Sequence, residues 1–86
     1  MGINEIRKDI DAIDDSIVNL LARREALARE IGRFKKEKRT PVRVAEREEE
    51  IIARLRKKAE ENGVDQELVG SLFRMIMKNS KRLQQK

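Results

Sequence analysis

Apolar residues recur at Ile3, Ile6, Ile10, Ile13, Ile17 and Leu20, in steps of three or four that trace one stripe along a helix. The next step lands on Arg24, and the stripe resumes at Leu27, Ile31 and Phe34. No proline interrupts the stretch, so it predicts one helix from about Ile3 to Lys38, with Gly32 as a point of close helix approach. Thr40-Pro41 supplies the stop, because the residue before a proline is pushed out of the α region. A second helix is expected from about Val44 to Glu61, with Val44, Ile51, Ile52 and Leu55 inward and Asn62-Gly63 as a left-handed cap. Asp65 reads as the N-cap of a third helix reaching about Gln85, with Leu68, Leu72, Phe73, Ile76, Met77 and Leu83 on its inner face. The pattern predicts an all-α, three-helix chain with a long first helix, a single domain over residues 1–86.

Length turns this into a statement about assembly. At 1.5 Å per residue the first helix spans about 54 Å, whereas a compact monomer of this size is about 30 Å across. The two shorter helices cannot cover the excess stripe, which predicts an intertwined helical homodimer in which a partner's long helix does so.

The exceptions to the apolar pattern suggest chemistry. Arg24 interrupts the first stripe and Lys35 stands one turn beyond Ile31, eleven residues later and on the same face, about 16 Å along the axis. Arg47 and Glu48 fall on the inner face of the second helix, and Ser80 and Gln84 replace apolar residues on that of the third. Charges in a core seam are costly unless paired, so their convergence points to a polar pocket for an anion. The bland alternatives are an Arg24–Glu48 structural pair, a solvated Lys35, and ordinary helix-end polar residues at 80 and 84.

Composition narrows the chemistry further. There is no cysteine and no histidine, which removes thiol nucleophiles, Ser-His-Asp triads and nearly every zinc or haem site; no cofactor and no metal is expected. No apolar run approaches a membrane span and no signal-like amino terminus is visible, so a cytoplasmic protein without a membrane role is expected. The net charge of +5 is unevenly spread: −3 over 1–21, +6 over 22–43, −3 over 44–67 and +5 over 68–86. The stripe positions favour a basic pocket over a nucleic-acid surface, and the scarcity of aromatics weakens RNA binding.

The runs Ile-Arg-Lys-Asp-Ile-Asp-Ala-Ile-Asp at 6–14, Leu-Leu-Ala-Arg-Arg at 20–24, Ile-Gly-Arg-Phe-Lys at 31–35, Pro-Val-Arg-Val-Ala-Glu-Arg-Glu at 41–48 and Asn-Ser-Lys-Arg-Leu-Gln at 79–84 together resemble the all-helical chorismate mutases. The resemblance covers nearly the whole chain in register, and its specificity lies in the joint spacing. It implies a dimer of three-helix chains that converts chorismate to prephenate on the way to phenylalanine and tyrosine. By the same resemblance Arg24 is a carboxylate clamp, and Lys35 donates to the ether oxygen and a carboxylate. Gln84 is the second ether-oxygen donor, Glu48 accepts from the ring hydroxyl, Arg47 supports the polar network and Ser80 touches a carboxylate. Arg7 matches an arginine lent across the dimer. Val44 departs from the family, where Asp is common.

Geometry bears on Arg7 independently. It lies seventeen residues from Arg24 on one helix, about 25 Å, too far for both to hold one small dianion. If both serve one site, they come from different chains, giving shared active sites. The implied Claisen rearrangement needs no nucleophile, base, metal or cofactor, which agrees with the missing histidine and cysteine. The nearest rival is an isochorismate pyruvate lyase of the same fold, which Glu48 and Ser80 disfavour. A basic helical binding or dimerisation module is the rival from a different class, with Lys81, Arg82 and Lys86 as its footprint.

Overall fold

The computed structural model of the chain describes residues 2–38 and 44–85. The Thr40-Pro41 stop and the side chain of Val44 lie outside the described residues. Three helices are present, α1 (Ile3–Lys38), α2 (Val44–Glu61) and α3 (Gln66–Gln84), with no strand among the described residues. The expected all-α fold is therefore the observed one, and the helix limits agree to within a residue.

The caps explain those limits. Gly63 adopts φ +70°, a region that disfavours a Cβ. It lets the Val64 N–H reach the Ala59 carbonyl at 2.8 Å and the Gly63 N–H the Glu60 carbonyl at 3.2 Å, closing α2 with a paired left-handed cap. The Asp65 carboxylate accepts from the Glu67 N–H at 2.8 Å and starts α3. At the far end Gln85 caps α3 rather than continuing it, its N–H donating to the Lys81 and Arg82 carbonyls at 3.2 and 3.3 Å.

α3 is the middle element. It runs alongside the carboxy-terminal half of α1 in the same direction, pairing Arg24 with Ser80 and Lys35 with Gln84, and antiparallel to α2, pairing Lys81 with Glu48 and Arg56 with Glu67. The backbones of α1 and α2 do not approach each other closely among the described residues, and α3 lies between them. The enclosed core is thin: among the described residues the buried apolar side chains are Ala28, Ala59 and Met77.

The face that α1 offers to α3 differs from the expected one. Ala28 and Gly32 are buried and Leu21, Arg24, Glu25 and Lys35 are half-buried, while Leu27, Ile31 and Phe34 remain exposed. Small side chains allow two helix axes to approach, so α3 docks beside the large apolar stripe rather than upon it. Leu68 and Leu72, expected inward on α3, are exposed in the single chain as well.

That leaves most of the stripe open. Every described residue from 2 to 20 is exposed, with Ile3 at 64%, Ile13 at 59% and Leu20 at 58%. The chain extends over 55 × 24 × 15 Å, with a radius of gyration of 16.1 Å against about 12 Å for a compact domain of its length. Its accessible surface is 7412 Å², whereas a compact monomer of this mass exposes about 5,300 Å².

Candidate active site

Alongside the carboxy-terminal half of α1, the three helices border a recess of about 290 Å³. α1 supplies Arg24, Ile31 and Lys35 to its lining, and α2 supplies Arg47, Glu48 and Ile51. α3 contributes Met77, Ser80, Lys81 and Gln84. Six of the seven residues singled out from the sequence therefore meet at one place. Arg7 does not; it stands exposed on the free half of α1.

Two hydrogen bonds across α1 and α3 organise the recess. The Arg24 guanidinium donates to the Ser80 hydroxyl, which in turn donates to the Ile76 carbonyl at 3.0 Å. Ser80 is buried, so this pairing satisfies a hydroxyl that would otherwise be costly to desolvate. The Lys35 Nζ donates to the Gln84 Oε1 at 2.6 Å. With its oxygen occupied by the ammonium, the Gln84 amide keeps both N–H groups for a ligand. On the opposite wall the Lys81 Nζ lies 2.7 Å from the Glu48 Oε1. Arg24 is thus paired with Ser80 rather than with Glu48, and the structural Arg24–Glu48 bridge does not form.

Gly32 sets the spacing on which the Lys35–Gln84 bond depends. A Cβ at position 32 would lie 2.6 Å from the Gln84 carbonyl oxygen and 2.8 Å from its Cα, distances that backbone atoms cannot absorb without moving. The glycine lets the end of α3 rest against α1 one turn before Lys35. The expected close approach at Gly32 is therefore real, and it falls inside the site.

Arg47 borders the recess but remains exposed, so its inward position in the α2 pattern is only partly realised. Sequence reasoning assigned Lys81 to a basic outer surface and missed its place on the recess wall. The signal was available in the spacing of Met77, Lys81 and Gln84, which share one face of α3. A second polar layer also went unnoticed: Asn79 donates to Glu25 Oε1 at 2.8 Å and accepts from Arg82 at 2.7 Å, fastening α3 to α1 beside Arg24.

Chemically, the recess presents fixed cations and neutral donors from α1 and α3 opposite a carboxylate from α2. Such a set holds an anion by shape and charge, with donors already oriented before the ligand arrives. Among the described residues, no group of His, Cys, Asp or Glu could hold a metal ion. No described helix is long and apolar enough to cross a membrane.

The sequence matches the chorismate mutase type II family over residues 6–85. The chain belongs to that family. It is 38% identical to a chorismate mutase of Methanocaldococcus jannaschii, over 93% of this chain and 81% of the relative. It is also 38% identical to the bifunctional chorismate mutase/prephenate dehydratase of Aquifex aeolicus, over 98% of this chain and 24% of that protein. A T-protein of Enterobacter agglomerans is 36% identical over 91% of this chain and 21% of its own length. The chain thus spans most of the first relative and a quarter or less of the two longer ones. Its enzyme class is that of the chorismate mutases, an isomerase, and the all-helical recess is the candidate seat of that activity.

Proposed function

We propose that two copies of this chain pair through their long helices and convert chorismate to prephenate at two equivalent sites. Each site consists of Arg24, Lys35, Arg47, Glu48, Ser80 and Gln84 of one protomer and Arg7 of the other. The observation that carries this reading is the Lys35–Gln84 bond at 2.6 Å, which holds a cation and a neutral donor together at one end of a recess flanked by Arg24.

In the reaction one carbon–oxygen bond of the enolpyruvyl ether breaks as a carbon–carbon bond forms, with no proton or electron exchanged with the protein. Arg24 and Arg7 grip the two carboxylates and fold the side chain over the ring, removing rotational freedom before the barrier is climbed. Negative charge grows on the ether oxygen as its bond stretches. Lys35 and the Gln84 amide meet that charge, and because they are held in place beforehand they favour the transition state over the substrate. Ser80 orients Arg24 and touches a carboxylate, Glu48 accepts from the ring hydroxyl, and Arg47 supports the network from the rim. The product then feeds the synthesis of aromatic amino acids. Nucleic acid has no part in this reading.

The surface supports the dimer. Exposed area exceeds that of a compact monomer by roughly 2,100 Å², the scale that each partner of an obligate dimer buries. The acidic segment at residues 1–21 and the basic segments at 22–43 and 68–86 are complementary in sign, which favours antiparallel pairing of two copies. Following the ultraviolet absorbance of chorismate tests the reaction. The purified chain should consume chorismate far above the spontaneous rate, and Arg24→Ala or Gln84→Ala should lower kcat/KM by about 10²- to 10³-fold while leaving the helical signal intact. Turnover no faster than the uncatalysed reaction would sink the proposal.

A further inference from the structure

The last helix is basic throughout its second half, and its lysines read as a solvated outer face. Lys81 departs from that. Its Nζ turns across to α2 and meets the Glu48 Oε1 at 2.7 Å, with the two side chains 45% and 27% exposed. An ion pair this open contributes little to stability, about 0–1 kcal/mol, so packing does not account for its position.

The pair also stands on a boundary. Glu48, Met77 and Lys81 line the recess of about 290 Å³ and, on their other side, a groove of about 940 Å³ between α2 and α3. That groove carries four further cations, Arg56, Lys57, Arg74 and Lys78. The groove also carries the carboxylates of Glu49 and Glu60, and the recess has its own cations in Arg24, Lys35 and Arg47, so a Glu48 carboxylate without a fixed partner has cations on both sides and no single orientation. Lys81 sits on the same face of α3 as Met77 and Gln84, so the helix that places Gln84 also sets where Lys81 can hold Glu48.

We propose that Lys81 is a positioning residue of the active site: by occupying Oε1 of Glu48 it holds the carboxylate at the recess wall and leaves Oε2 to accept from the substrate's hydroxyl. The inference rests on the chorismate reading of the site. Lys81 acts through Glu48 and does not itself touch substrate. Groups that fix the orientation of a functional side chain commonly change activity about tenfold or more when lost, even where stability hardly moves.

A double-mutant cycle on chorismate turnover tests this. Lys81→Met keeps the aliphatic stem and removes the charge; it should lower kcat/KM about tenfold, with the thermal midpoint unchanged within the error of the measurement. In a Glu48→Gln background the same substitution should change kcat/KM less than about twofold, because the group it positions is already gone. Lys81→Arg should restore most of the activity by offering the carboxylate another cation. An equal loss in both backgrounds would mean that Lys81 contacts substrate directly and would overturn the proposal, as would no loss in either. Wild-type turnover is the control that separates the two claims: its absence defeats the chorismate reading, whereas a Lys81 effect independent of Glu48 defeats only this inference.

Discussion

The two halves of α1 follow one apolar rhythm but end in different surroundings. From residue 2 to 20 the large side chains of Ile3, Ile6, Ile10, Ile13, Ile17 and Leu20 face outward with nothing of their own chain against them. From Leu21 onward α3 lies alongside, and what it buries is small: Ala28 at 4% exposure, and Gly32. Fully covering one large aliphatic side chain stabilises by about 1.5 to 3 kcal/mol, so the half richest in such side chains leaves much of that stabilisation unrealised in the single chain. The half that builds the recess has almost no apolar core of its own. In the proposed dimer the free half would supply the seam and Arg7 while the other half lines the recess, so each half would depend on the other.

Substitutions in the free half should have the largest effect. Ile10→Lys together with Ile13→Lys places two charges in the seam that a second copy would cover, where an unpaired charge cannot be desolvated. The account expects loss of the dimer in sedimentation, loss of most helical ellipticity at micromolar concentration, and no measurable turnover. A monomeric double variant that still turns over chorismate would erase the distinction between the two halves.

Gly32→Ala probes the other half. The added methyl collides with the Gln84 backbone and must push the end of α3 outward, lengthening the Lys35–Gln84 bond. A misplacement of about 1 Å can cost about 10²-fold in rate, so kcat should fall on that order while the dimer persists. Unchanged kcat would mean that the close approach does not set the site.

Asp65→Ala should have the smallest effect. It removes the cap that accepts from Glu67 N–H, at the end of α3 far from the recess, and should cost about 1 kcal/mol of stability. Thermal melting should drop by a few degrees with kcat unaltered; a fall in kcat at constant structure would tie this remote end to the chemistry.

Much of this was legible in the sequence because it depends on local rules. The helix limits follow from Asn62-Gly63 and Asp65, whose backbone demands act within a few residues. Six of the seven candidate residues were visible as polar interruptions of an apolar face, a signal that periodicity alone provides. What periodicity does not provide is which neighbour each face meets. Ile31 and Phe34 read as inward, yet α3 chose the adjacent row of small residues, because close approach depends on side-chain size rather than hydrophobicity. Lys81 was hidden for a related reason. Its partner, Glu48, is more than thirty residues away, and a lysine at a helix end looks the same whether it faces water or a carboxylate.

The central claim is that one site draws on two chains. Arg7→Ala and Arg24→Ala chains, each inactive alone, should be unfolded together, refolded as a mixture and assayed on chorismate. Random pairing makes about half of the dimers mixed, and each mixed dimer holds one intact site and one doubly defective one. The account predicts recovery of about a quarter of wild-type activity, and a mixture no more active than its parents would contradict it.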